Sequence, residues 1–205
     1  MPQNGHFRRT NELVGIGANM RVLLTSSGLE TKEIQDYFVK LTNMDMALVK
    51  ALFIPVAAIN ADAIAVLPKC MNDLLKCGIR SENIKVYDMH KGMDLEELQR
   101  YDVVYICGGE THYLIQRINE TGFNKTLMEY IYADGVVVGV SAGSLVFSSN
   151  TADNLGLIDM DVYVHCSEGE PRGKIAYPQK NSVRLNGKCA LAIRSIPNGL
   201  EIISG

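Results

Sequence analysis

Short strand-like runs alternate with helical segments along most of the chain, and this alternation limits the fold more than any other feature. β-Branched and aliphatic residues bounded by turn residues cluster at residues 21–25, 51–57, 85–87, 103–107 and 136–140. Such runs predict buried strands. Between them, apolar side chains recur three and four residues apart, as at Ile34, Tyr37, Phe38 and Leu41. This spacing predicts amphipathic helices.

Strands that alternate with helices predict an α/β fold with three layers. Each parallel strand needs a crossover, and right-handed crossovers pack helices on both faces of a mostly parallel sheet. Gly78 and Gly135 follow two of the helical segments and are expected to end them in a left-handed conformation. Pro68 predicts a kink or a later start in the second helix.

The pattern changes after Asn150. Extended pieces follow at residues 162–165, 190–194 and 200–203, and they predict a mixed or antiparallel edge of the sheet. Because neither a repeat nor a linker interrupts the chain, we expect residues 20–205 to form a single domain. Residues 1–19 precede the first patterned segment and are expected to be a mobile extension.

The composition excludes several classes of partner. The 205 residues carry a net charge of -3, and Lys and Arg are scattered, so we expect no nucleic-acid surface. Five cysteines without a C-x-x-C pair favour a reducing compartment. No apolar run is long enough for a signal peptide or a membrane span, which predicts a cytoplasmic protein without a membrane partner. The sequence leaves the oligomeric state open, including a homodimer.

The segment GVSAG at residues 139–143 directly follows a predicted strand and precedes an apolar helical run. This is the order of a nucleophile elbow, in which a serine on a strained turn exposes its hydroxyl at the carboxyl end of the sheet. The pattern G-x-S-x-G alone arises by chance in roughly one chain in fifteen of this length. Its position after a buried strand therefore carries the inference that Ser141 is a nucleophile.

A second turn, CGGET at residues 107–111, follows another predicted strand and opens a helix. Consecutive glycines let a backbone N–H point into the cleft, where a tetrahedral oxyanion needs donors. Gly109 is the predicted donor, together with the N–H of Ala142. A phosphate-binding turn at a helix N-terminus uses the same free N–H groups, but it leaves the serine elbow unexplained.

A serine hydroxyl is a poor nucleophile until a base takes its proton. The chain has four histidines, His6, His90, His112 and His165. His165 is the predicted base because it follows the elbow at the end of an extended piece, although a lone histidine on a strand is often structural.

The acid that would orient the histidine is less constrained by the sequence. Asp153 lies on the loop between the elbow and His165, and it is the favoured candidate. Asp159 and Asp161 immediately precede the histidine strand and stay open as alternatives. Loop aspartates also serve simply as turn formers.

The CGGET turn, the GVSAG elbow and the later His165 together resemble the peptidase E family of serine peptidases, which also includes cyanophycinase. The resemblance runs from about Met20 to the C-terminus. In that family the second glycine of a Gly-Gly-Asn-Thr turn supplies an oxyanion donor, and the elbow serine follows at a similar spacing. The resemblance implies a fold like that of class I glutamine amidotransferases. It also implies Ser141 as nucleophile, His165 as base, Asp153 as acid, and Gly109 with Ala142 as oxyanion donors.

The same resemblance implies hydrolysis of small peptides without a metal or cofactor, best known for dipeptides with an N-terminal aspartate. Glu110 stands where the family has Asn, which would place a carboxylate near the amine of the substrate or, unfavourably, near the oxyanion. Arg172 is the candidate nearest in sequence to His165 for pairing with an acidic substrate side chain.

Two other functions stay open. A non-catalytic, flavodoxin-like binding module derived from the same family would explain the short loop after the elbow and Glu110. A general α/β-hydrolase esterase is less favoured, because the chain is small and its oxyanion motif differs. A label that reacts only with an activated serine distinguishes the enzyme from the binding module.

Overall fold

The computed structural model describes residues 19–167, 182–194 and 199–205. The expected mobile extension, Asn19 excepted, and Arg172 lie outside the described residues. The strands are β1 Arg21–Thr25, β2 Ala51–Ile54, β3 Ile84–Val86, β4 Val103–Ile106, β5 Val136–Val140, β6 Asp161–Tyr163, β7 Ser182–Arg184, β8 Cys189–Ile193 and β9 Leu200–Ser204. The helices are α1 Lys32–Thr42, α2 Ala61–Ala65, α3 Leu67–Lys76, α4 Leu95–Leu98, α5 Thr111–Glu120, α6 Phe123–Tyr132 and α7 Ala142–Leu145.

Seven of these strands form one sheet in the order β3-β2-β4-β5-β1-β8-β9. The first five strands of this order run parallel, whereas β8 is antiparallel to β1 and β9 is antiparallel to β8. The predicted antiparallel edge therefore consists of β8 and β9. The extended piece predicted at residues 162–165 does not join this edge, because β6 pairs with β7 in parallel as a separate two-stranded sheet.

Helices cover both faces of the large sheet. Side chains alternate along each strand, so that Leu23 and Tyr105 face one core while Val22 and Ile106 face the other. The first core packs against α1 and α3, and the second packs against α4, α5, α6 and α7. This arrangement confirms the predicted three-layer α/β fold with a mostly parallel sheet.

The helix boundaries follow local chemistry. Pro68 stands in the first turn of α3, where a missing N–H leaves no helical hydrogen bond unmade. Of the two predictions for Pro68, the later start of the helix is confirmed. Gly78 is left-handed with a φ of 99° just after α3, as predicted. The prediction for Gly135 is wrong, because the left-handed residue after α6 is Asp134, with a φ of 66°.

Gly135 is required for a different reason. A Cβ at Gly135 would lie 2.2 Å from the ring of Tyr130, so the glycine leaves room for that aromatic side chain. Among the described ranges, no helix is long and apolar enough to cross a membrane.

Candidate active site

Ser141 occupies the sharp turn between β5 and α7. Its φ of 50° and ψ of -112° are strained for a residue with a side chain. Gly139 and Gly143 allow this turn, because a Cβ at Gly139 would lie 2.4 Å from the carbonyl oxygen of Gly143. A Cβ at Gly143 would lie 2.3 Å from the carbonyl oxygen of Ile106 in β4. The glycines of the GVSAG segment thus permit a close approach of strand, turn and helix.

The buried hydroxyl of Ser144 holds the strained turn in place. Ser144 is fully buried, and its Oγ lies 2.8 Å from the carbonyl oxygens of both Thr25 and Gly139. The same Oγ accepts the N–H of Thr25 at 3.0 Å. The N–H of Ser141 donates to the Thr25 carbonyl oxygen at 2.9 Å. The elbow is therefore tied to the carboxyl end of β1.

His165 lies beside the serine. Its Nε2 is 2.9 Å from Ser141 Oγ, a normal hydrogen-bond distance and within the reach at which an imidazole can take a hydroxyl proton. His165 is exposed and follows β6 in a left-handed conformation with a φ of 57°. The structure therefore brings together the two residues that the sequence analysis paired.

The other ring nitrogen of His165 faces a serine. Ser26, the residue after β1, has its Oγ 3.5 Å from Nδ1 and accepts the main-chain N–H of His165 at 2.8 Å. Ser26 itself is fully buried. Sequence reasoning missed Ser26, although it directly follows a predicted parallel strand, as do Ser141 and the CGGET turn.

Asp153 lies elsewhere in the fold. Its carbonyl oxygen accepts a hydrogen bond from Asn119 of α5 at 3.1 Å, and Asp153 lines a different cavity together with His112. No hydrogen bond joins it to His165 within the described ranges. Among the alternatives, Asp159 is 3.5 Å from Ser149 Oγ and Asp161 begins β6. The residue found at Nδ1 is therefore not one of the three acids considered from the sequence.

The glycine turn lies opposite the elbow. Gly109 has a φ of 141°, and a Cβ there would lie 2.0 Å from the carbonyl oxygen of Ala57. A Cβ at Gly108 would lie 3.0 Å from that of Ser141, so the turn passes directly over the serine. The N–H of Ala142 belongs to the first turn of α7, where backbone donors have no partner within the helix. The two predicted oxyanion donors thus flank the serine.

Glu110 caps the following helix. Its Oε1 accepts the N–H of His112 at 3.3 Å, and its own N–H donates to the Ala57 carbonyl oxygen at 2.7 Å. Glu110 is not among the described residues that line the serine cavity. The structure therefore gives this carboxylate a local partner at the start of α5.

Ser141 and His165 open into a cavity of about 380 Å³. Its other described lining residues are Ser26, Ser27, Ala63, Val66, Lys69, Cys70, Gly108, Gly109 and Val140. Lys69 is the cation of this set, and its side chain is 53% exposed and paired with Glu30. Sequence reasoning missed Lys69, whose place at the cavity depends on how α3 packs against the sheet.

The loop that carries Ser26 is anchored by a buried carboxylate. Asp73 Oδ2 accepts the N–H of Leu29 and the hydroxyl of Tyr105, both at 2.9 Å. Gly28, with a φ of 96°, packs so closely that a Cβ there would lie 2.2 Å from Asp73 Oδ2. Burial raises the pKa of Asp73 above its usual value, while these two hydrogen bonds oppose the shift.

Two thiols lie next to this anchor. A hydrogen bond from Cys107 lowers the pKa of Cys70, which lines the cavity, and burial raises the pKa of Cys107. Cys107 directly precedes the glycine turn. The two side chains belong to the core between α3 and the sheet.

Two solved structures share the overall fold. One is a crystal structure of a candidate peptidase E protein from Listeria monocytogenes EGD-e, with a TM-score of 0.69 and 18% sequence identity. That likeness covers 92% of this chain and 100% of the other. The second is a peptidase from an acI-B1 actinobacterium, with a TM-score of 0.65, 18% identity, and coverage of 93% and 90% of the two chains. At this identity the likeness concerns the fold alone.

Sequence comparison adds relatives and a family. An uncharacterized peptidase of Listeria monocytogenes is 29% identical over 100 residues, which make up 49% of each chain. An uncharacterized peptidase of Pasteurella multocida is 24% identical over 98 residues, or 48% of this chain and 47% of the other. The chain spans about half the length of the curated relatives it matches. The model of peptidase family S51 matches residues 22–168, which include the elbow, the glycine turn and His165. The chain therefore belongs to peptidase family S51.

Proposed function

We propose that this protein is a serine peptidase that hydrolyses small peptides through an acyl-enzyme on Ser141. The observation that carries the proposal is the 2.9 Å contact between Ser141 Oγ and His165 Nε2. It occurs at a strained elbow that faces a glycine turn, the arrangement that acyl transfer by serine requires. Membership of a peptidase family supports the same class of reaction.

The reaction follows from the roles of these groups. Ser141 Oγ attacks the scissile carbonyl carbon, and His165 Nε2 takes the hydroxyl proton. The N–H groups of Gly109 and Ala142 stabilise the oxyanion that develops on the carbonyl oxygen. His165 returns the proton to the leaving amine, and the acyl-enzyme forms as that amine departs. Water, activated by the same imidazole, then attacks the ester and releases the acid product.

The preferred substrate in this proposal is a dipeptide with an N-terminal aspartate. A cavity of about 380 Å³ lies at the small end of the range for ligand pockets and suits a short peptide. Lys69 brings a positive charge to its wall, where it would attract the carboxylate of an acidic side chain. A substrate carboxylate would compete with Glu30 for this ammonium.

The free thiols favour a reducing compartment, and we infer that the enzyme works in the cytoplasm. Four cysteines, Cys70, Cys77, Cys107 and Cys189, are buried and form no disulfide. Free buried cysteines serve as small apolar side chains in the core and gain nothing from an oxidising environment.

One observation favours a second candidate, a binding module without catalysis. Among the described residues, no carboxylate accepts a hydrogen bond from His165, whereas serine hydrolases usually orient the base with an acid. In this case the elbow would hold a ligand rather than activate a nucleophile.

The decisive experiment measures the release of free amino acids from a dipeptide panel led by Asp-Leu and Asp-Ala. Ser141→Ala serves as the control, because loss of the nucleophile should reduce the rate by several orders of magnitude. A fluorophosphonate label, followed by mass spectrometry, reports directly whether Ser141 is activated. We expect turnover and labelling that both vanish in the variant. No labelling of the native protein would favour the binding module, and labelling without turnover of Asp peptides would point to another acyl substrate.

A further inference from the structure

The base of the proposed enzyme has a hydroxyl at the position where a carboxylate usually lies. Ser26 Oγ is 3.5 Å from Nδ1 of His165 and 2.8 Å from the main-chain nitrogen of the same residue. Ser26 precedes His165 by 139 residues, so this double contact joins two distant parts of the chain. It meets the imidazole at Nδ1, whereas Ser141 lies at Nε2.

We propose that Ser26 is the positioning residue for His165, holding the imidazole and its main chain through one hydroxyl oxygen. This inference rests on the proposed function, because it concerns how the base of that reaction is oriented. In this role Ser26 acts through His165 and not on the reacting carbonyl group.

The chemistry of a hydroxyl fits both contacts. A serine oxygen has two lone pairs, so it accepts the main-chain N–H of His165 and the N–H on Nδ1 at the same time. A proton held on Nδ1 leaves the lone pair of Nε2 directed at Ser141 Oγ, as a general base requires. The contact to Nδ1 is long, and such contacts tighten when substrate binds.

The hydroxyl is held in a fixed place. Ser26 is fully buried, and the loop that follows it is fastened at both ends. The N–H of Gly28 donates to Thr25 Oγ1 at 3.1 Å, and the N–H of Leu29 donates to Asp73 Oδ2 at 2.9 Å. A positioning residue acts only if its own conformation is locked by its surroundings, and this loop meets that condition.

The backbone conformation of His165 also supports a positioning role for Ser26. Its φ of 57° is unfavourable for a residue with a side chain, and such conformations persist where surrounding contacts enforce them. The 2.8 Å bond from the His165 N–H to Ser26 is a contact that enforces it. The other titratable groups that line the cavity in the described ranges are Lys69 and Cys70, and neither is bonded to the imidazole.

Because Ser26 offers a hydroxyl and not a carboxylate, its contribution to the rate is limited. It carries no charge, so it orients the imidazole without the electrostatic stabilisation that a carboxylate gives to the imidazolium. We therefore expect a moderate loss of rate when the hydroxyl is removed, concentrated in kcat because the hydroxyl contributes to orientation and not to substrate affinity.

The test compares Ser26→Ala and Ser26→Thr, with Ser148→Ala as the matched control. Ser148 is also fully buried, but its hydroxyl bonds to Leu145 and Asn150 outside this contact. We expect Ser26→Ala to lower kcat about 10- to 100-fold with KM nearly unchanged, since the hydrogen bonds that orient the base are lost. Ser26→Thr keeps the hydroxyl and should restore most of kcat. Equal kcat losses in the alanine variants of Ser26 and Ser148, or no loss in Ser26→Ala, would overturn the proposal.

A second measurement does not depend on turnover. The ¹⁵N chemical shifts of the His165 ring, assigned with His165→Gln, report which nitrogen carries the proton. We expect the Nδ1–H tautomer in the native protein and in Ser26→Thr, and a mixture with the Nε2–H tautomer in Ser26→Ala. An unchanged tautomer in Ser26→Ala would contradict the proposal. If the native protein proves inactive and Ser141 unlabelled, the proposed function fails, while the ring shifts still decide whether Ser26 positions His165.

Discussion

Ser144 and Thr25 bind each other reciprocally: Ser144 Oγ accepts the N–H of Thr25 at 3.0 Å and lies 2.8 Å from its carbonyl oxygen. Both residues are fully buried. Because the N–H of Ser141 donates to the same carbonyl oxygen, this pair sets the position of Ser141 relative to β1. A fully buried residue that does not line the cavity thus helps to shape the site.

Replacement of Ser144 by alanine should destabilise the protein by about 2 kcal/mol, since it leaves the buried N–H of Thr25 without its acceptor. Urea denaturation measures the free energy of unfolding. Ser148→Ala is the control, because its hydroxyl serves Leu145 and Asn150 and leaves the contact between β1 and the elbow intact. A Ser144→Ala variant as stable as the native protein would show that the pair contributes little.

Gly109→Ala should reduce kcat by about 100-fold, the scale seen when an oxyanion donor is displaced. The added methyl group would lie 2.0 Å from the Ala57 carbonyl oxygen, so the turn must move. Gly122→Ala is the matched control, because Gly122 is also left-handed at a φ of 71° but nothing lies within 4 Å of its added Cβ. Steady-state kinetics on both variants checks this, and an active Gly109→Ala enzyme would exclude Gly109 as a donor.

Asp73→Asn should change how stability depends on pH. Because the pKa of Asp73 is raised above its usual 3.8, the folded protein keeps this proton at pH values where the unfolded chain has released it. That contribution to stability is complete below the usual value and is lost as pH rises through the raised one. The native protein should therefore lose stability relative to Asp73→Asn as pH rises above about 4. Urea midpoints at several pH values measure this difference, and a difference that grows in favour of the native protein would contradict the raised pKa.

Lys69→Gln should lower kcat/KM for Asp-Leu by about tenfold, since it removes the cation that meets an acidic side chain. Turnover of Ala-Leu should change little, because an alanine side chain offers nothing to the ammonium. Lys32→Gln is the control, since Lys32 pairs with Asp36 within α1. An equal loss of kcat/KM on both dipeptides would show that Lys69 maintains the shape of the cavity and does not recognise the charge of the substrate.

The sequence predicted the sheet and the two turns well because each depends on local patterns. Buried β-branched runs predict strands, and the carboxyl ends of parallel strands meet at one edge, so the elbow at Ser141 and the turn at Gly109 could be placed on the same side. Glycine at both turns is required by contacts within a few residues of the strand ends. Local chemistry of this kind can be recognised from the amino-acid sequence.

The surroundings of His165 were not predictable in the same way. Asp153 was favoured because it lies between elbow and histidine along the chain, but the loop after α7 carries it to Asn119 of α5. Ser26 and His165 are 139 residues apart in the sequence, and no sequence motif links residues so far apart. Glu110 was expected at the substrate, yet a carboxylate directly before a helix also caps its free N–H groups.

The strand order has a consequence for when activity can appear. β1 lies between β5 and β8, so it can pair only after strands that follow it by more than a hundred residues have been synthesised. Pairings of such high contact order form slowly and late in folding. A growing chain on the ribosome would carry Ser141 and the glycine turn before His165 and β8 have been synthesised, and so would lack the base of the proposed reaction. If the proposed function holds, the topology itself would delay hydrolysis until β8 has been synthesised and paired with β1.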